Sequence, residues 1–235
     1  MERGAVRMGV KFVHGLSVLH RARLEMAPPP YLNLDDFVRR TRLDKRALDA
    51  LAEVGALDSL SVDRRQALWQ VRALAHRTRE PLLLPQDETL PLFAALGLGG
   101  TIGWDYRRSG LSTRGHPLTP LRPALAERRL PTACEINQMR GGKRVRFVGL
   151  VICRQSPGTA SGVTFFTLED ETGFCNLVVW KDIMARFRVI ARTAQLLGVT
   201  GKIQAEDGVV HLIAETLWTP ELSQPVPLPA SRDFH

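Results

Sequence analysis

The chain has 235 residues, 44% of them hydrophobic, with 32 lysines and arginines against 24 acids and only three cysteines. That length holds one large or two small ordinary domains. Cys134, Cys153 and Cys175, odd in number and without a Cys-x-x-Cys, exclude a disulfide scaffold, argue against a zinc site and suit a reducing cytoplasm. No run of about 18 apolar residues is present to span a membrane, and the N-terminus lacks the apolar stretch and cleavage site of a secretory signal.

Charge is unevenly spread. Residues 1–80 carry 15 basic and 10 acidic groups, 105–143 carry 8 and 3, and 144–218 carry 8 and 7. The excess therefore sits before residue 144 and is nearly all arginine, which forks onto phosphates and stacks on bases. A nucleic-acid surface is expected, although a GC-rich coding sequence also enriches arginine and alanine.

In chain order, Phe12-Val-His-Gly-Leu16 reads as a strand-like entry and a glycine turn, followed by a helix over Val18 to Met26 that three prolines at 28–30 stop. Asn33 or Asp35 can cap a second helix with Leu34, Phe37 and Val38 on one face. Asp44 caps a third, with Leu48, Leu51, Ala52 and Val54 inward and Gly55 as its stop. A fourth runs from Asp63 to Leu74. The turns Val13-His-Gly-Leu-Ser17 and Val54-Gly-Ala-Leu-Asp58 have the apolar-Gly-apolar form of phosphate-holding helical hairpins, but a glycine there is more often only a helix C-cap. Arg79 to Thr101, rich in Pro, Leu and Gly, reads as a linker or strap. Helical spacing resumes at Trp104 to Arg114 and again around Leu121 to Arg129, and Gly141-Gly142 turns the chain into the next segment.

From Arg144 to Trp218 the pattern becomes β. The runs Arg144 to Arg154, Gly162 to Asp170, Gly173 to Trp180, Gln195 to Ile203 and Gly208 to Leu217 are rich in Val, Ile, Phe and Thr and bounded by turn residues. Between the third and fourth, Ile183, Met184, Phe187, Val189 and Ile190 recur at helical spacing. Five strands with a helix between the third and fourth make the order of an OB-fold, which binds oligonucleotides on its strand 2 and 3 face. On the second strand, Phe166 shares its face with Leu168 and is expected inside, whereas Phe165, sharing a face with Val163 and Thr167, is expected outside.

Catalytic patterns are thin. His14, His20, His76, His116, His211 and His235 have no metal-ligand spacing, and no phosphate-binding Gly-Lys loop or Gly-x-Ser-x-Gly occurs. The acidic groups Asp35-Asp36 and Glu169-Asp170-Glu171 could in principle hold metals, but they fall where a helix N-terminus and a strand turn want them. No catalytic residue, metal site or cofactor is expected.

The run Thr164-Phe-Phe-Thr-Leu-Glu-Asp-Glu-Thr-Gly173, followed by Val178-Val-Trp180, resembles the OB domain at the C-terminal end of bacterial C-family DNA polymerase catalytic subunits (DNA polymerase III alpha-subunit-like). Gly55-Ala-Leu-Asp-Ser59, Asp63-Arg-Arg-Gln-Ala-Leu-Trp69, Gly110-Leu-Ser-Thr-Arg-Gly-His-Pro-Leu118, Pro157-Gly-Thr-Ala-Ser-Gly162 and the ending Ser231-Arg-Asp-Phe-His235 resemble the error-prone branch used in damage tolerance. The resemblance covers essentially the whole chain, with the motifs in the family's order. It implies a tandem helix-hairpin-helix region, a basic connector and an OB domain. The family's phosphoesterase-like domain, palm, thumb and most of its fingers precede this region, so no catalytic aspartate carries over; Mg2+ is implied for the full-length enzyme alone. One departure is Gly15-Leu16-Ser17, where the family's first hairpin has Gly-x-Gly. Met1 falls inside what resembles an ongoing domain, which leaves open a truncated gene, a split polymerase or a fragment.

These readings combine into an α+β chain: a helix-hairpin-helix-like module over 1–78, a linker and basic connector over 79–143, a five-stranded OB-fold barrel over 144–218 and an extended tail over 219–235. The expected function is the nucleic-acid-binding C-terminal portion of an error-prone, translesion DNA polymerase. It would grip single-stranded template and duplex DNA through Arg107, Arg108, Arg114, Arg122, Arg128, Arg129, Arg140, Lys143, Arg154, Thr159, Phe165 and Thr167, without polymerase activity of its own. The alternative is a protein-interaction module that docks other damage-tolerance polymerase subunits and touches DNA little; RNA is a third option, since such barrels also occur in anticodon-binding domains.

Overall fold

A computed structural model describes residues 8–61, 63–77, 93–157, 162–206, 208–221 and 232–234. The chain divides into two compact units, Met1–Ser112 and Thr113–His235, so the stretch 79–143 contributes to both.

The first unit is helical. A 3-10 turn, Val10–Phe12, stands where a strand-like entry was expected, and it is followed by α1 (Val18–Met26), α2 (Leu34–Thr41), α3 (Lys45–Glu53), α4 (Arg64–Arg77) and α5 (Leu98–Ser109). The caps explain the starts. Ser17 and His20 form a reciprocal capping box on α1, Asn33 accepts from the Asp36 amide and Asp44 from the Ala47 amide. Leu34, Phe37, Val38, Leu48, Leu51, Leu57 and Val71 close the core. The α5 helix begins six residues before the expected Trp104, inside the glycine-rich stretch read as linker. Gly110, at φ 75°, ends it.

The second unit is the barrel: β1 (Arg144–Gln155), β2 (Thr164–Asp170), β3 (Gly173–Val179), β4 (Leu196–Glu206) and β5 (Val209–Trp218). Neighbours run β1-β2-β3-β5-β4 and back to β1, antiparallel except for the parallel β3–β5 pair, so the sheet closes. This is the five-stranded closed barrel of an OB-fold. Arg232–Phe234 adds a sixth short strand, β6, parallel to β1 at Cys153–Gln155, in the segment read as tail. The expected single helix after β3 is two, α8 (Lys181–Arg186) and α9 (Arg188–Thr193), broken at Phe187.

Alternation fills the interior with Val145, Phe147, Val151, Phe166, Leu168, Cys175, Leu177, Leu197, Val199 and Leu212. Burial pushes the Cys175 thiol up to about 12. A bulge at Glu215 on β5 falls opposite Thr200 and Gly201, and a Cβ at Gly201 would lie 2.2 Å from the carbonyl oxygen of Ile213, so the β4–β5 pairing admits no side chain there.

Two helical pieces close over the barrel. A 3-10 turn at Thr119–Leu121 and α6 (Arg122–Glu127) lay Leu118, Leu121, Leu125 and Leu130 on the outer side of Val148 and Leu150. The helix α7 (Ala133–Asn137), absent from the expected elements, inserts Ala133 and Ile136 into the barrel core. Asp170 fixes this cap: its buried carboxylate accepts from the Ala133 amide at 2.8 Å, from Arg122 at 3.0 Å and from both the amide and hydroxyl of Thr172. The acidic run Glu169-Asp170-Glu171 thus acts structurally, as expected for a strand turn.

Candidate nucleic-acid interface

The register between β2 and β3 fixes which side chains leave the barrel. Phe165 lies opposite Val178 and Thr167 opposite Asn176, and these positions alternate with the inward Phe166, Leu168, Leu177 and Cys175. Phe166 is 1% exposed and Phe165 38%, so the two adjacent rings face opposite ways as the alternation predicts. Trp180, extended in backbone and 52% exposed, continues the outward row of β3, about 7–8 Å diagonally from Phe165 by strand geometry. Phe174, 53% exposed, begins that row at the far end of the strand. Trp180 and Phe174 were missed in the sequence, although the period of two through Phe174, Asn176 and Val178 points to both. Glu169 shares this side of β2; burial raises its carboxyl above the usual carboxylate range, and the same cause lowers the pKa of His116, whose Nε2 is 3.9 Å away.

The cations chosen from sequence separate into two groups. Three are held by protein. The Arg108 Nε donates to Glu53 at 2.8 Å; Arg122 grips Asp170 and Glu171; Arg154 is 7% exposed, lies over the Phe166 ring and donates to the carbonyls of Ala191 and Ala194. Burying a guanidinium requires such partners, as for Arg154; Arg108 and Arg122, half-buried, are likewise held by their acids. Arg107, Arg114, Arg128, Arg129, Arg140 and Lys143 are exposed, with Arg107 3.8 Å from Glu53 and Arg114 engaged in an interaction of its own. Thr167 is half-buried on the outer β2 face, and Thr159 lies outside the described residues.

Comparison with known proteins places this geometry in a family. The chain is 40% identical to "Error-prone DNA polymerase 1" of Agrobacterium fabrum over 92% of its own length and 21% of that protein, and 41% identical to the error-prone DNA polymerase of Rhodopseudomonas palustris (strain HaA2) over 91% and 21%. The chain is homologous to a segment of the error-prone DNA polymerases. It spans about one fifth of the length of these curated relatives. Residues 144–219 match the OB-fold nucleic acid binding domain and residues 1–67 the helix-hairpin-helix motif. A solved asparaginyl-tRNA synthetase from Pyrococcus horikoshii is similar over 43% of this chain and 24% of its own, at 22% identity and a TM-score of 0.34, a level that bears no functional argument.

The hairpins of the helical unit have defined backbones. Gly15 and Gly55 both take positive φ, 103° and 79°. At the second hairpin the amides of Val54, Gly55 and Ala56 donate to the carbonyls of Ala50, Ala52 and Leu51, which is the bonding of a helix C-cap. Those amides are already used. At the first hairpin Ser17 caps α1, and Arg108 Nη1 reaches the His14 carbonyl at 3.5 Å.

Proposed function

We propose that this chain is the nucleic-acid-binding, C-terminal portion of an error-prone DNA polymerase. The outer face of β2 and β3 stacks bases of a single-stranded template, and the exposed cations Arg107, Arg128, Arg129, Arg140 and Lys143 neutralise phosphates, with Arg114 as a further contact. The observation that carries this reading is the outward row of Phe165 and Trp180 beside Thr167 and Asn176. Aromatic platforms next to small polar groups accept any base, because every base has a π-face. Contact of the helical module with duplex, and docking to other damage-tolerance subunits, belong to the same proposal.

The role is binding rather than chemistry. Among the described residues no three His, Cys, Asp or Glu side chains converge to hold a metal ion, and two-metal phosphoryl transfer needs such a cluster. Primer extension by the purified chain with magnesium and nucleotides is expected to yield no product.

Fluorescence anisotropy with a short labelled single strand tests the reading. Affinity should fall linearly in log-log form between about 50 and 200 mM salt, each phosphate contact adding about 0.7 to 0.9 to the slope. Binding indifferent to salt, or none at low salt, would favour the protein-interaction module instead.

A further inference from the structure

We propose that the groove between the α6–α7 cap and the start of β1 is a second nucleic-acid track, one that takes the phosphate backbone and is separate from the aromatic face of β2 and β3. The inference rests on the nucleic-acid reading above and assigns to it a place.

The groove, of about 810 Å³, is lined by Arg128, Arg129, Lys143, Arg144 and Arg146, with Glu135 as an acid on its wall. Their partners decide its charge. Arg144 is balanced by Glu215 at 2.6 Å. Arg128 donates to the backbone carbonyl of Glu221 at 2.8 Å, which positions the guanidinium without neutralising it. Arg146 lies over the ring of Trp218 at 4.6 Å. Arg129 and Lys143 have no carboxylate partner among the described residues. The Glu135 carboxylate is turned to the α7 cap, where the Thr132 amide and hydroxyl donate to it and hold its pKa below the ordinary range. Positive charge is left in excess, in a concave surface that concentrates field lines.

The backbone supports the same assignment. Arg129 sits at φ 55°, in the left-handed position that ends a helix and that glycine fills without strain, with the Leu130 amide closing back on the Leu125 carbonyl. An arginine occupies that position here, and it points charge at the groove. The ring at hand, Trp218, is covered by Arg146, so the groove offers phosphates a surface and bases none. Contacts of that kind position a strand without reading sequence. Along β1 the groove residue Arg146 pairs with β4, whereas Gln155, beyond the irregularity between Val151 and Cys153, pairs with Phe165 on β2, so the two sites engage different parts of one strand.

The test uses the full chain, with binding to a mixed-sequence and a homopolymeric single strand measured across a salt series. The double variant Arg129→Gln/Lys143→Gln should lower the log-log slope by about 0.7 to 0.9 per lost cation, equally for both sequences. Phe165→Ala should weaken binding at an unchanged slope. A charge-matched control on the far helix, Arg188→Gln/Arg192→Gln, should keep the slope, and Arg129→Lys/Lys143→Arg should restore it, which separates charge loss from misfolding. A wild-type slope in the groove variant, or an equal fall in the control, overturns the track while leaving the aromatic face standing. Failure of the unaltered chain to bind either strand overturns both.

Discussion

Asp105→Ala is expected to destabilise the helical unit by about 3 kcal/mol, the lower end of the cost of breaking a buried ion pair, because Asp58 stays 3.9 Å from the Arg64 guanidinium. The side chains of Arg64 and Asp105 are each 8% exposed and meet at 2.6 Å. Arg64 opens α4 and Asp105 lies within α5, so the pair ties two helices that are 41 residues apart in sequence. Arg64 also donates to the Glu53 carbonyl at 3.2 Å, at the end of α3, and the Ser112 hydroxyl donates to the other carboxylate oxygen of Asp105 at 2.7 Å. The second hairpin is built on this ion pair: a Cβ at Gly55 would stand 2.6 Å from Arg64 Nε, so the glycine is required by the buried arginine as well as by its own positive φ. Removal of Asp105 therefore leaves Arg64, beneath the turn of the helix-hairpin-helix motif, with the half-exposed Asp58 carboxylate 3.9 Å away as its remaining acidic partner. The double variant Arg64→Met/Asp105→Leu should recover most of the loss, since apolar replacement of both partners is often neutral. Urea unfolding followed by a probe in the helical unit decides the matter, and a single-variant loss below about 1 kcal/mol would show that the pair is solvated.

The sequence carried the elements whose signals are local. The barrel strands follow from β-branched runs and turn residues, and α2 and α3 start at Asn33 and Asp44 because short polar side chains cap there. The start of α5 and the whole of α7 were hidden for physical reasons. The first turn of α5, Leu98-Gly-Gly, holds two glycines, poor helix formers that packing overrides, while α7 is five residues, too short to show a period. Its capping box, Thr132 with Glu135, was nonetheless readable as Thr-x-x-Glu. The fate of the arginines was not readable at all. Arg108, Arg122 and Arg154 are neutralised or satisfied by groups 37 to 55 residues away, and only the fold brings those together.

Phe166→Ala is expected to cost about 3 to 5 kcal/mol of barrel stability, and Phe165→Ala to leave the fold nearly intact while removing about 1 to 3 kcal/mol from single-strand binding. Phe166 is a fully buried aromatic in the barrel core and also the surface on which the Arg154 guanidinium lies, 5.4 Å from the ring centre. Its loss opens a cavity and exposes a buried cation to that cavity at once. Phe165, one residue earlier, is 38% exposed opposite Val178, so its removal uncovers at most the edge of Val178 and leaves the barrel interior filled. The stacking surface it shares with Trp180 then shrinks to one ring, so Trp180→Ala should weaken binding comparably and the double variant should lose little more than the sum. Thermal melts together with anisotropy on a short oligonucleotide separate the two effects. If Phe165→Ala unfolds the barrel while Phe166→Ala weakens binding alone, the outward face is not where bases stack.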